Sequence, residues 1–332
     1  MSSDSRPLAL VTGAFGFTGA HVARRLLSEG WRVRGLCRRE SLSRIPSQEE
    51  IEVHVGDLAT GEGLDSAPAG AEVIVHAGAS VGTSSRAEAN AVIAQGTRRL
   101  ATAAVRQGVR RFVFLSSTAV YGHGALTDAN EDTPRRPEDP YGEAKARAED
   151  GLMALSGAGH LQAVVLRPRL IFGAGDRHFL PTVCEALRRR QVVLVDGGQA
   201  VNDMVCVDDV AEACVLAMRA TSASGRAFNV TSGESLTSRE FFEAVADHHR
   251  LPRPRLALPY VLAWPFALIL TASMRVRRGQ TRSYSPLTRL RLFGLPHHFS
   301  IERARSELGY APGQPFREWL VKAETEISAP PG

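Results

Sequence analysis

Leu8 to Gly19 reads LALVTGAFGFTG, and this stretch decides the fold. Leu8 to Val11 is a short apolar run suited to a buried strand. Thr12-Gly13-Ala14-Phe15-Gly16-Phe17-Thr18-Gly19 follows. A helical pattern then places Val22, Leu26 and Leu27 on one side and stops at Gly30, a C-terminal cap. In a strand, glycine turn and helix, spaced glycines let the backbone turn tightly and approach a pyrophosphate at the helix N-terminus. Spaced glycines alone would mark an ordinary turn. With both flanking elements in place, a dinucleotide-binding loop is the better reading.

The pattern repeats outward. Trp31 to Cys37 alternates as a second strand, Glu52 to Val55 is a third and Val73 to His76 a fourth. The third ends in Gly56-Asp57-Leu58, the fourth in Ala77-Gly78-Ala79-Ser80. The small residues of that last turn would let a flat ring or a ribose approach the backbone. His76 reads as a core or strand-end histidine in preference to a catalytic one. A long helical segment runs from about Arg86 to Gln107. Strand and helix at short spacing predict an α/β fold, a doubly wound parallel sheet with helices on both faces.

The second strand bears on cofactor choice. An acid near its end would take ribose hydroxyls, but Cys37 is followed by Arg38 and Arg39, with no carboxylate before Glu40. Arginine here can bind a 2′-phosphate, so NADP(H) is favoured over NAD(H). The alternative is two solvated arginines on a loop.

Phe112 to Leu115 is the next strand and delivers Ser116 and Ser117 at its end, where open parallel sheets hold their ligands. Tyr141 and Lys145 sit four apart, on one face of a helix. A phenol, an ammonium and a serine hydroxyl gathered there can move a proton beside a carbonyl.

At 332 residues the chain can bury a full core, as one large domain with a smaller lobe. The expected division is a dinucleotide-binding domain over residues 1–172, with returning elements at about 203–230. Residues 173–202 and 231–332 form a substrate lobe. The net charge of +5 favours phosphate-bearing ligands. The bases are spread over many segments, so nucleic acid is not expected as a partner. Cys37, Cys184, Cys206 and Cys214 form no CxxC pair, which suggests buried thiols in a reducing compartment. The N-terminus does not read as a signal peptide, and the expected location is cytoplasmic.

Past Gly173 the alternation weakens. Asp203 to Val207 and Ala227 to Val230 look like short strands able to return to the main sheet, with a helix from Asp208 to Met218 between them. Asp208-Asp209 reads as helix capping more than as a paired-carboxylate site. His248-His249 and His297-His298 lack partners at zinc spacing, and no metal is expected. Leu256 to Met274, LALPYVLAWPFALILTASM, carries no charge and is bracketed by arginines. It reads as core helix, as the wall of an apolar pocket, or as a peripheral membrane contact over residues 256–278.

Together these motifs resemble the extended short-chain dehydrogenase/reductases over nearly the whole chain. The matching residues are the loop Thr12 to Gly19, Gly56-Asp57-Leu58, Ala77 to Ala79, SSTAVYG, Tyr141-x-x-x-Lys145, and Arg167-Pro168 followed by IFG. RPRLIFGAGD, LPYVLAWPFALIL and SIERARSELGYAP look most like the branch of 3β-hydroxysteroid dehydrogenases, sterol 4-carboxylate decarboxylating dehydrogenases and bacterial 3-oxo-lipid reductases.

The resemblance implies roles. Ser117 would hold the substrate oxygen, Tyr141 would be the acid/base, and Lys145 would bind the nicotinamide ribose and ease loss of the tyrosine proton. Gly13, Phe15, Gly16, Phe17 and Gly19 would wrap the pyrophosphate. Arg38 would meet the adenosine ribose, Asp57 and Leu58 the adenine, and Ala77, Gly78 and Ala79 the pyrophosphate and ribose side. Pro168 and Ile171 would line the nicotinamide. A homodimer through helices on the sheet's outer face is also implied. One departure stands out: Ile93 occupies the place of a common asparagine, which weakens any proton relay there.

The expected activity is NAD(P)-dependent interconversion of a secondary alcohol and a ketone on an apolar, sterol-like or acyl-lipid substrate. The first rival is a nucleotide-sugar epimerase or reductase on the same scaffold. Dehydratase chemistry lacks its acids, because Thr118 and Ala119 follow Ser117. The second rival is a non-catalytic NADP(H)-binding sensor, against which the retained tyrosine and lysine argue.

Overall fold

The structure is a computed structural model that describes residues 5–44, 50–80, 85–278 and 285–327. Seven parallel strands form the main sheet: β1 (Leu8–Thr12), β2 (Arg32–Cys37), β3 (Ile51–Val55), β4 (Val73–His76), β5 (Arg111–Leu115), β6 (Gln162–Pro168) and β7 (Arg226–Val230). Their spatial order is β7-β6-β5-β4-β1-β2-β3. The order reverses between β1 and β4, which places a crevice at the strands' C-terminal ends. Thr12 is in register with His76 at the mouth of that crevice.

Both faces are covered, and the period of two decides which side chain goes where. Ala9 and Val11 of β1, with Val113 and Leu115 of β5, face a core shared with the helices Phe17–Ser28 and Val207–Arg219. Leu8 and Leu10, with Phe112 and Phe114, face the opposite core, shared with Gly96–Arg106 and Pro140–Gly157.

The segment expected as one helix from Arg86 to Gln107 is helical throughout but not uniform. Residues Arg86–Ala89 are α, Asn90–Gln95 form a π-turn, and Gly96–Arg106 are α again. Ile93 is fully buried in the π-turn. A hydrocarbon there cannot carry a proton.

Beyond the main sheet, Ser235–Thr237, Val201–Asp203, His297–Phe299 and Leu126–Ala129 form a four-stranded sheet in that order. Its last strand lies in the loop between β5 and the helix Pro140–Gly157, so His297–Phe299 is stitched to the loop that precedes Tyr141. Asp203 to Val207 does not return to the main sheet. Val201–Asp203 joins the four-stranded sheet, while Val205–Cys206 pairs in parallel with Ile171–Phe172. Arg226–Val230 does return, beside β6.

The charge-free segment is not core helix. Leu256–Leu258 pairs with Val193–Val195, and a helix spans Tyr260–Arg278. Of that helix Ala263, Ala267 and Thr271 are buried, while most of its large apolar side chains are exposed.

Candidate active site

The glycine loop and the turn after β4 meet across the crevice. Gly13 has φ +72°, and a Cβ on it would stand 3.1 Å from the Gly78 backbone. A Cβ on Gly19 would stand 2.0 Å from Gly13 O, so only glycine lets the helix close on the loop. Thr12 Oγ1 accepts the Gly78 N–H at 2.9 Å and lies 2.6 Å from His76 Nδ1. Leu58 abuts Gly78 and Gly96, which brings the end of β3 to the same place. Asp57 spends a carboxylate oxygen on the Ala59 N–H at 2.6 Å, closing its own turn.

The helix Phe17–Ser28 starts at Gly16 with no side-chain cap and no acid in its first turn. Its first N–H groups and dipole therefore face the crevice unneutralised, a setting that suits a phosphate. Phe15 turns inward, its ring filling the space over Gly35 of β2, so any contribution from Phe15 to a pyrophosphate is through its backbone. Phe17 lies edge-on to His21, with ring centroids 5.9 Å apart. The residues fit a dinucleotide.

Arg38 and Arg39 follow β2 and are exposed, with Arg38 3.5 Å from Glu40 and Arg39 3.1 Å from Glu62. His76 is structural, as preferred from the sequence. It is fully buried, its Nε2 is 2.9 Å from Thr97 Oγ1, and burial pushes its pKa down to about 3.

Ser117, Tyr141 and Lys145, expected to handle a proton, are carried by elements that meet at the end of β5. Asp139 caps the helix Pro140–Gly157, accepting the Gly142 N–H at 2.7 Å, and Pro140 occupies the first turn. That cap orients Tyr141, which is partly buried in the second position of the helix. His123 Nε2 lies 2.6 Å from the second oxygen of Asp139. One turn on, Lys145 is buried at 1% exposure. Its Nζ donates to Leu115 O at the end of β5 and lies 4.5 Å from the Phe114 ring centroid and 5.7 Å from that of Tyr141. Burial lowers its pKa to about 7, and Glu149 opposes that shift.

Ser116 and Ser117 separate in role. Ser116 points inward and donates to Glu149. Ser117 is partly exposed and begins a 3-10 turn over Thr118–Tyr121. Its Oγ accepts the Ala119 N–H at 3.2 Å, which leaves its own hydrogen to donate elsewhere. Gly142 is required here, since a Cβ would stand 2.6 Å from Ala119 O. The turn carrying Ser117 and the helix carrying Tyr141 are thus in backbone contact. Pro168 ends β6 buried, and Ile171 begins the short strand paired with Val205.

Behind Lys145 lies a buried polar network that the sequence reading did not find. Glu149 accepts from Arg167 Nη2 at 2.7 Å, from Arg167 Nε at 3.1 Å and from Arg135 at 3.1 Å. Arg167 donates to Tyr121 Oη at 2.7 Å, and Tyr121 donates to Asn229 at 2.8 Å. The pairing holds Arg167 above the usual arginine range. A signal was present, because Glu149 stands four after Lys145 and eight after Tyr141, on the same helix face. Asp139-Pro140 was likewise a helix-start signature. Asp208 and Asp209 diverge: Asp208 lies 2.6 Å from His21 Nδ1, and Asp209 accepts from the Gly313 and Gln314 backbone.

Comparison with known proteins bears on this arrangement. Residues 9–231 match the NAD dependent epimerase/dehydratase family. A 2-alkyl-3-oxoalkanoate reductase of Stenotrophomonas maltophilia is 31% identical, over 96% of this chain and 99% of the relative. A 3 beta-hydroxysteroid dehydrogenase/Delta 5→4-isomerase of Mycobacterium tuberculosis is 32% identical, over 91% of this chain and 85% of the relative. A crystal structure of a short-chain dehydrogenase/reductase superfamily protein from Agrobacterium tumefaciens, with bound NAD, superposes with a TM-score of 0.75 at 26% identity, covering 96% of this chain and 97% of that one.

Proposed function

The chain belongs to the NAD-dependent epimerase/dehydratase family, and from that premise we propose that it reduces the ketone of an apolar substrate, with NADP(H) preferred and Tyr141 as the acid/base. One observation carries the reading: Lys145, held on Leu115 O, lies one helical turn from Tyr141 and beside the strand end that presents Ser117. Two relatives support the substrate class by name, one acting on 2-alkyl-3-oxoalkanoates and the other on 3 beta-hydroxysteroids. We extend to this chain their common feature, a ketone or secondary alcohol on a hydrocarbon body.

A nicotinamide dinucleotide, when bound, would supply or accept the hydride at the carbonyl carbon. Gly13, Gly16, Gly19 and the backbone of Phe15 and Phe17 would hold its pyrophosphate, with Ala77, Gly78 and Ala79 alongside. Asp57 and Leu58 would flank the adenine, and Pro168 and Ile171 the nicotinamide. In reduction Tyr141 Oη gives its proton to the carbonyl oxygen, and in oxidation it takes the proton from the alcohol. A phenol's ordinary pKa of about 10 makes it a poor exchanger at neutral pH, and a cation beside it favours the phenolate. Lys145 supplies that cation, and Glu149 opposes the loss of its charge. Ser117 Oγ donates to the same substrate oxygen and stabilises charge that develops there.

The preference for NADP(H) rests on β2, which ends without a carboxylate and is followed by two exposed arginines. Replacing both (Arg38→Ala with Arg39→Ala) should weaken NADPH binding about tenfold or more and leave NADH nearly unchanged, as read by cofactor fluorescence titration. Equal loss for both cofactors, or loss for neither, refutes the preference. A screen of 2-alkyl-3-oxo acids, 3-oxosteroids and UDP-sugars tests the substrate class. Turnover on UDP-sugars alone would overturn it.

A further inference from the structure

We propose that the helix Tyr260–Arg278 and its neighbour Pro286–Gly294 form a docking surface for an anionic lipid bilayer. The longer helix rests on a narrow stripe of small side chains, Ala263, Ala267 and Thr271. All the other residues from Val261 to Ser273 are exposed. Leu256, Val261, Leu262, Phe266, Ile269 and Leu270 are 54% to 75% exposed. Monomeric soluble proteins rarely leave so continuous a hydrocarbon face in water. Among the described residues no helix is long and apolar enough to cross a membrane, so the geometry is that of a helix lying in the interface.

Charge selects the occupant. Between His248 and Ile301 the sequence contains nine arginines and not one aspartate or glutamate. The whole chain holds 40 lysines and arginines against 35 acids, so the rest of the molecule is net negative. Arg255 and Arg289 are exposed on segments that flank the apolar face. A second copy of the chain would set this basic region against itself. A specific protein partner would usually find hydrogen-bonding groups across the contact. From Val261 to Leu270 the Trp264 indole is the only polar side-chain group. Hydrocarbon beside phosphate headgroups matches both the apolar face and the arginines around it.

The surface is tied to the active site. Thr271 Oγ1 accepts the Leu287 N–H at 3.1 Å, which joins the two helices. Arg291 of the second helix pairs with Glu138, the residue before the Asp139 cap of the Tyr141 helix. Docking therefore holds the entrance to that helix near the lipid surface. The inference does not depend on which ketone is reduced.

The test is flotation of the full-length protein with vesicles of phosphatidylcholine alone, and with about a third phosphatidylglycerol, in low and high salt. The protein should float with the anionic vesicles, less with the neutral ones, and less at high salt. The exposed double substitution Phe266→Asp with Ile269→Asp should cut the bound fraction about tenfold or more. It should leave circular dichroism and cofactor binding unchanged, which separates lost docking from lost folding. Absence of flotation with either vesicle overturns the proposal, and so does equal binding to both. A wild-type dimer that the double substitution converts to monomer, without vesicle binding, would assign the face to a second copy instead.

Discussion

Lys145 shows at the scale of one residue what burying an ionisable group does to stability. An ammonium is buried against Phe114 and Leu115 O, and its pKa falls to about 7 from an ordinary value near 10.4. The sign of the consequence follows from linkage. The unfolded chain binds the extra proton between about pH 7 and pH 10, so this group makes stability rise with pH through that window. At neutral pH the burial is a cost. Lys145→Met should therefore raise stability at pH 7 by roughly 1–3 kcal/mol, after allowing for the lost hydrogen bond. It should also flatten the rise between pH 7 and 10 and cut turnover about a hundredfold or more. Urea denaturation and steady-state rates check both. A less stable variant would show that the lysine is held for the fold and not for the chemistry.

At the scale of elements, the glycines decide how close two pieces of backbone come. Gly13 and Gly19 bring strand, loop and helix together, and Gly142 brings the Tyr141 helix against the turn of Ser117. Gly142→Ala would press a methyl group onto Ala119 O and displace the start of that helix. In that variant kcat should fall about a hundredfold with the cofactor Kd within about twofold, since misplacement of about 1 Å is enough for such a loss. Unchanged kcat would show that the contact does not position Tyr141. Gly13 and Gly19 were legible in the sequence because strand and helix flank them; Gly142, inside the first turn of a helix, carried no such signal. The break at Met204 was not, because short apolar pieces carry no period of their own, and Val201–Asp203 and Val205–Cys206 find partners far along the chain. The exposed face of Tyr260–Arg278 was hidden for a related reason. An apolar run shows no polar side, and only the packing of Ala263, Ala267 and Thr271 reveals which face is covered.

At the scale of the whole molecule, the parallel sheet was readable because its buried strands recur at short spacing between helices. That Tyr141 and Lys145 lie beside the end of the serine strand was readable from Tyr141-x-x-x-Lys145 and the preceding serine strand. The network behind them was not, because Glu149, Arg167, Tyr121 and Asn229 come from four segments that only the folded sheet brings together. The same assembly buries His76 and His297, whose pKa values burial pushes down to about 3 and about 2. Both stay neutral in the folded protein while the unfolded chain takes up protons below about pH 6.5. Stability should therefore fall as pH drops from about 6.5, before most carboxylates titrate. A denaturation midpoint that stays constant between pH 7 and 5 would contradict this. We propose above that this chain reduces an apolar ketone through Tyr141. The most direct test compares NADPH oxidation by wild type and Tyr141→Phe with a 2-alkyl-3-oxo acid as substrate, alongside NADPH affinity. The wild type should turn over, and the variant should lose about a hundredfold or more while still binding NADPH. Equal turnover by the two proteins would contradict it.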